Sequence, residues 1–296
     1  MINHLTILGV GLIGGSLARV LRREGACGRI TGYGRSEKHL EQAAALGVID
    51  DYSLEAGTAV EDADMVVLAT PLGTTESLLI EIRDRLKQGA LITDVGSVKG
   101  SVAAAARRAL ARDRLECFVP GHPIAGTEQS GVGASSADLF RDHLVILTPL
   151  PETGKTGLKM VSDMWEAAAA RVVVMDVDHH DAVLAATSHL PHMLAYALVD
   201  CLAGMQERDE IFEYAAGGFA DFTRIASSSP QMWNDICYAN RDNMLSILDQ
   251  FDKHLKKIHH AIESESSTAL LDIFSRAKDA RDKFTQRRSS TVKASE

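Results

Sequence analysis

Five short segments of the sequence carry residue types that suit chemistry. Glycines stand at Gly9, Gly11 and Gly14 in GVGLIGGSL, directly after an apolar run. That spacing suits an anion. Gly9 permits a tight turn, Gly11 lets the backbone approach a pyrophosphate, and Gly14 lets a helix pack close to a strand. The first N–H groups of a helix opening there face the phosphates, and Leu12 and Ile13, between the glycines, are counted with them. Without a ligand the same run is a glycine-rich turn. Two further segments, TDVGSVK (93–99) and GHPIAGTE (121–128), each follow an apolar run and hold Ser97 and His122. SHLPH (188–192) brings His189 and His192. GGFADFTR (217–224) ends on Arg224, and Trp233 follows soon after.

Taken singly, each has a plain structural reading. His122, before a proline, suits a turn histidine satisfied by backbone. His189 and His192 have the i,i+3 spacing of metal ligands, but Pro191 lies between them and no carboxylate–histidine set is near, so no metal is expected. Arg224 suits a surface ion pair. DHHD (178–181) suits a solvated helix start with Asp178 as its cap.

The elements that must position these residues change character along the chain. Apolar runs at 5–8, 29–33, 65–69, 91–94, 118–120, 144–148 and 171–175 read as strands. Helical patterns separate them at 14–23, 37–46, 74–86, 102–111 and 156–170. Such alternation predicts an α/β, doubly wound parallel sheet, with ligands at the carboxyl ends of its strands. After Asp176 no strand pattern remains, and 178–202, 240–262 and 268–284 read as helices, so the second part is all-helical. The expected division is 1–176, 177–286, and a flexible tail at 287–296. The stripe Met244, Ile247, Leu248, Phe251 and Leu255 predicts a homodimer through the helical part.

Composition narrows the rest. The chain has 296 residues, which suits two domains, and 46% hydrophobic residues, enough for a large core. Its net charge of −9 argues against nucleic acid as a partner. No apolar run reaches the roughly 18 residues of a membrane-crossing helix, and MINHLTILGVG has no basic signal-like start. No membrane association is therefore expected. Four scattered cysteines (Cys27, Cys117, Cys201, Cys237) suit reduced thiols and a cytoplasmic location.

Together, GVGLIGGSL, TDVGSVKGSV, GHPIAGTEQSG, DHHDAVLAATSHLPH and GGFADFTRIASSSPQMW closely resemble the prephenate dehydrogenase family, from Ile7 to about Phe284. That family includes the arogenate and cyclohexadienyl dehydrogenases of tyrosine biosynthesis. The resemblance implies a Rossmann-type domain, a helical domain that dimerises, and oxidative decarboxylation of prephenate to 4-hydroxyphenylpyruvate or of arogenate to tyrosine. It also implies site roles. His122 matches the catalytic histidine, Ser97 the serine holding the substrate hydroxyl, Arg224 the arginine on a substrate carboxylate, and His192 a substrate-contacting histidine. Glu128, His180, Asp181 and Trp233 match active-site or supporting positions. The chemistry suits these types: a neutral imidazole accepts the hydroxyl proton near pH 7 as hydride leaves the same carbon, and CO2 loss then aromatises the ring. Many relatives have Arg where this chain has Ala220, so a second cation is missing.

The cofactor reading stays double. An acid that would hold the ribose of NAD is absent after the second strand, where Gly34, Arg35 and Ser36 stand. Gly34 leaves room and Arg35 with Ser36 suits a 2′-phosphate, which favours NADP; Arg35 stacked on adenine would admit either cofactor. Relatives with a similar turn use NAD, which is the cofactor expected here, with NADP open. Thr70 and Pro71, after the strand at 65–69, complete the expected cofactor contacts. With no regulatory domain or chorismate-mutase segment expected, tyrosine feedback would act at the active site. The alternatives are another oxidoreductase of the same plan, of the β-hydroxyacid dehydrogenase or imine reductase type, and a nucleotide-sensing protein without turnover.

Overall fold

The computed structural model describes residues 1–293. The first part alternates β1 (Ile2–Leu8), α1 (Leu12–Arg23), β2 (Cys27–Tyr33), α2 (Glu37–Ala45), β3 (Asp51–Ser53), α3 (Ala56–Val60), β4 (Met65–Leu68), α4 (Thr75–Ile82), β5 (Leu91–Asp94), α5 (Lys99–Ala109), α6 (Arg112–Glu116) and β6 (Phe118–Val119). These six strands form one parallel sheet in the order β3-β2-β1-β4-β5-β6. The winding reverses between β1 and β4, the crevice where such sheets bind ligands. Leu8 is in register with Tyr33 on one side and Leu68 on the other, so Gly9, Gly34 and Ala69 leave the sheet at the same edge. Alternate residues supply two apolar layers, as a two-residue side-chain period requires. Ile7 and Val67 join Leu17, Leu21 and Trp165; Leu8 and Val66 join Leu79, Ile82 and Val102.

The chain then departs from a single sheet. β7 (Gly121–Pro123), β8 (Leu144–Leu147) and β9 (Arg171–Val174) form a separate sheet, with β7 antiparallel to β8 and α7 (Lys155–Ala167) between β8 and β9. Pro120 explains the break. It has no N–H to extend the ladder beyond Val119, so the chain turns and begins a new strand at Gly121. The runs at 144–148 and 171–175 are strands as expected, but of this second sheet. β3 is three residues of mixed polarity and gave no pattern to read.

Beyond Val174 only helices occur among the described residues: α8 (Val177–Leu184), a π-turn (Ala185–His189), α9 (Leu190–Ala203), α10 (Arg208–Glu213), α11 (Gly217–Thr223), α12 (Pro230–Ala239), α13 (Arg241–Glu263) and α14 (Ser267–Lys293). The cap of α8 is Asp176, not Asp178: its carboxylate accepts the N–H groups of Asp178 (2.9 Å) and His179 (3.2 Å). The stretch Val177–Ala203, with a mean hydropathy of 1.3, is long and apolar enough to cross a membrane, contrary to the sequence expectation. Its buried side chains include the polar His180, Asp181 and His189.

By compactness the chain divides at Met244/Leu245, inside α13, so α8 to α12 belong to the same unit as the sheets. The expected position 176/177 is where strands give way to helices. In the second unit α14 remains helical as far as Lys293, through most of the expected tail; the last three residues lie outside the described ones.

Candidate active site

At the crevice, the three glycines answer to different demands. Gly9 has φ +104°, and a Cβ there would lie 2.5 Å from the Ala69 carbonyl oxygen of the neighbouring strand end. A Cβ on Gly14 would lie 2.3 Å from the Gly9 carbonyl oxygen. Both are therefore dictated by the protein's own packing. Gly11, at the N-cap of α1, is different: a Cβ there meets nothing within 4 Å. Its open side faces the space before the unpartnered N–H groups of α1, where Leu12 and Ile13 are half-buried. These residues fit a dinucleotide pyrophosphate. Thr70 and Pro71 follow β4 at the same edge; the Thr74 hydroxyl donates to the Pro71 carbonyl at 2.7 Å and lies 2.8 Å from the Thr70 hydroxyl, which donates to it. Gly34 and Ser36 are half-buried and Arg35 is exposed. Ser36 begins α2 without using its hydroxyl as a cap. The acids near β3 are engaged elsewhere, Asp50 with Arg22 and Asp51 with Arg29.

A second cluster lies beyond the carboxyl ends of β5 and β6. His122, on β7, is buried and its Nδ1 is 2.9 Å from Nε2 of His180. His180 Nδ1 is 2.8 Å from Asp181 Oδ1. The Asp181 carboxylate also accepts the backbone N–H of Lys99 on Oδ1 (2.8 Å) and of Gly100 on Oδ2 (2.7 Å), the first two residues of α5. A carboxylate from the helical part thus sits on a helix N-terminus of the sheet part, where its charge is favoured. A Cβ on Gly100 would come within 2.8 Å of Asp181 Oδ2, so glycine is required there.

Electrostatics follow the geometry. Burial pushes the His122 imidazole well below its usual value, and the Lys99 cation and the neighbouring histidines push the same way. Burial raises the Asp181 carboxyl, but the bonds from His180, Lys99 and Gly100 outweigh it and the net shift is downward. Burial lowers Lys99 against the opposing pull of Asp94. His189, buried, is lowered to about 4.

His192 stacks on Trp233, with ring centroids 3.8 Å apart, and its Nδ1–H donates to the Ser188 carbonyl at 2.9 Å. His189 has another partner, the Asn240 side chain, 3.3 Å from its Nδ1. Arg224 and Glu128 form an ion pair across 96 residues of chain. Ala220 is exposed on α11. Ser97 is half-buried in the loop between Asp94 and Lys99.

Comparison with known proteins decides the lineage. Residues 17–174 match the nucleotide-binding domain of prephenate dehydrogenase, and residues 176–276 match its dimerization domain. The cyclohexadienyl dehydrogenase of Zymomonas mobilis is 38% identical over 281 residues, 94% of this chain and 95% of that protein. The prephenate dehydrogenase of Bacillus subtilis is 36% identical, over 99% of this chain and 79% of that protein. The A. aeolicus prephenate dehydrogenase, solved with hydroxyphenyl propionate and NAD+, superposes with a TM-score of 0.90 at 38% identity, covering 96% of this chain and 99% of that one. The chain belongs to the prephenate dehydrogenase family. It is an NAD(P)-dependent dehydrogenase.

Within this family member the structure brings together His122, His180 and Asp181, as it does His192 with Trp233 and Glu128 with Arg224. Four residues of the cluster had no role assigned from sequence: Asp94, Lys99, His189 and Asn240. The first three lie inside quoted motifs. Asn240, whose Nδ2 donates to the Asp181 carbonyl at 2.9 Å, had no signal at all.

Proposed function

We propose that this enzyme oxidatively decarboxylates prephenate, arogenate or both, with His122 as general base. The observation that carries this is the chain His122–His180–Asp181. An ionised carboxylate only accepts, so His180 donates Nδ1–H to Asp181 and is left with a lone pair on Nε2. That lone pair accepts Nδ1–H of His122, which leaves His122 with a free lone pair on Nε2. In this tautomer His122 can take the proton of the substrate hydroxyl at Nε2. The positive charge that develops is stabilised through His180 by Asp181. Ser97 orients the hydroxyl by hydrogen bonding. Arg224 exchanges Glu128 for a substrate carboxylate, and His192, braced on Trp233, closes the far side of the ring; His180 and Asp181 act through His122 rather than on substrate. Bound at Gly9, Gly11, Gly14 and the turn Gly34-Arg35-Ser36, with Leu12, Ile13, Thr70 and Pro71 alongside, a nicotinamide dinucleotide supplies the hydride acceptor. The residues named do the rest: they hold the carbon–hydrogen bond in line and take the hydroxyl proton onto His122; the ring carboxylate then leaves as CO2, its electron pair passes through the aromatising ring to the oxygen, and that oxygen takes the proton back.

NAD+ is the proposed cofactor, supported by its presence in the A. aeolicus relative. NADP+ is the second reading, favoured by the exposed Arg35 and the missing acid. Homodimerisation through residues 177–286 is proposed from exposed Leu255, Ile262, Leu271 and Phe274 on α13 and α14. A sedimenting mass of 31.9 kDa, that of one chain, would remove it. The four unpaired thiols suit a cytoplasmic enzyme. Tyrosine, as the product or its relative, would inhibit at the active site.

Initial rates with prephenate or arogenate, each with NAD+ or NADP+, test the proposal. Turnover is expected in at least one combination, with a loss of roughly 10²–10⁴ in kcat after His122→Asn. Silence in all four from folded protein that binds the dinucleotide would overturn it.

A further inference from the structure

Asp94 and Lys99 bracket the loop that carries Ser97, and the reaction above uses neither. Both are buried, Lys99 completely. Their contacts converge on one residue. Asp94 Oδ1 accepts the N–H of Gly121 at 3.1 Å, Lys99 Nζ donates to the Gly121 carbonyl at 2.6 Å, and the two side chains pair with each other. Asp94 Oδ2 also accepts the N–H of Gly96 at 2.8 Å, which fixes the carboxylate. Gly121 immediately precedes His122, so both of its peptide groups are held by a single ion pair. The backbone of Lys99 meanwhile binds Asp181. Lys99 therefore bears on both ends of the His122–His180–Asp181 chain, on Asp181 directly by its amide and on His122 through the carbonyl of the preceding residue, which its side chain holds. Apolar side chains could fill this space at less desolvation cost than two buried charges.

We propose that the Asp94–Lys99 ion pair is a positioning element of the general base, locking Gly121 so that His122 stays aligned between His180 and the substrate hydroxyl. The cation has a second effect. The groups facing His122 are Lys99 from α5, His180 from α8 and His189 from the π-turn, and all three oppose its protonation, with Asp181 behind His180 and Asp94 paired to Lys99. Removing the Lys99 charge makes the imidazolium easier to form, and the acid limb of activity moves to higher pH.

This inference rests on His122 being the base, and the two are separable by experiment. The variants are Lys99→Met and the double variant Asp94→Asn/Lys99→Met, which leaves no unpaired buried charge. Each is measured for thermal melting, NAD+ affinity and the pH dependence of kcat/KM. The expected result is a fall in kcat of about tenfold to a hundredfold from misalignment, with KM for the dinucleotide within about threefold and the acid limb raised by about half a pH unit or more. Unchanged kcat, or a lowered kcat with an unmoved limb, overturns the proposal. So does failure of both variants to fold, which would make the pair purely structural. If His122→Asn keeps its turnover, the reading of the base fails instead.

Discussion

The two parts of the site are built in opposite ways. At the crevice between β1 and β4 the backbone makes the site. Gly9 and Gly14 let strand and helix close on each other, Gly11 leaves room, and the side chains nearby are exposed or half-buried. Around His122 side chains make the site, and they are buried: His122, His180, Asp181, Lys99 and Asp94 satisfy one another and the first amides of α5. The crevice takes its three glycines from one stretch of six residues, 9–14, set against the neighbouring strand ends. The cluster joins residues 58 and 82 apart in the chain. On the proposed reading the first binds the dinucleotide through exposed and half-buried groups, while the second is buried, where its electrostatics count for more.

The sharpest way to break this comparison is His122→Asn. If the cluster is chemical and the crevice only binds, kcat falls by roughly 10²–10⁴, the span of general-base catalysis, while dinucleotide affinity measured by calorimetry stays the same. Asp181→Asn comes next. Three N–H groups converge on this carboxylate, and an amide has a donor where one of its two acceptor oxygens stood. A clash with at least one N–H follows, costing about 1–3 kcal/mol, together with a smaller, about tenfold, loss in kcat from misaligned His180. The pH dependence gives the sign. The folded Asp181 carboxyl titrates below its unfolded value. Its contribution to stability is therefore complete above the unfolded value near pH 4 and lost as pH falls through the lower folded value. Melting curves of wild type and Asp181→Asn should differ at pH 7 and draw together only as pH falls below the unfolded value near pH 4.

A third test lies at the crevice. Gly11 has φ −98°, which alanine adopts freely, and a Cβ there has no protein neighbour. Gly11→Ala should leave the melting temperature unchanged and weaken the dinucleotide by about tenfold, because only a ligand's close approach needs that space. Gly9→Ala is the control, with its positive φ and a Cβ 2.5 Å from a carbonyl oxygen: it should lose stability first. Equal behaviour of the two would erase the distinction between packing glycine and binding glycine.

The same contrast explains what was legible in the sequence. Gly9, Gly11 and Gly14, the strand at 91–94 and the helical second part were readable because their signals are local, carried by spacing and periodicity. His122, His180 and Asp181 were found through motifs, without their order in the chain of hydrogen bonds. Lys99 was not assigned, because a lysine is read as solvated until its partner is known to lie beside it. The second sheet was missed because Pro120 ends one strand and the next starts a single residue later. The pairing of Arg224 with Glu128 depends on how α11 and the loop after β7 meet, which no window of sequence contains.

The smallest effect sharpens the comparison most finely, because it concerns a charged side chain at the crevice, the exposed Arg35. If Arg35 reads a 2′-phosphate, Arg35→Ala should lower kcat/KM for NADP+ by about fivefold to tenfold and change that for NAD+ by less than about twofold, since a guanidinium–phosphate contact exists with only one of them. If Arg35 instead stacks on adenine, both values fall together, because the two dinucleotides share the base. If neither moves, recognition at the crevice is left to the backbone, to Ser36 and to Gly34, whose added Cβ would have Leu40 nearest, at 3.5 Å. Ser36, whose hydroxyl does not cap α2, would then be the side chain left to tell the two dinucleotides apart, and Ser36→Ala the variant that decides it.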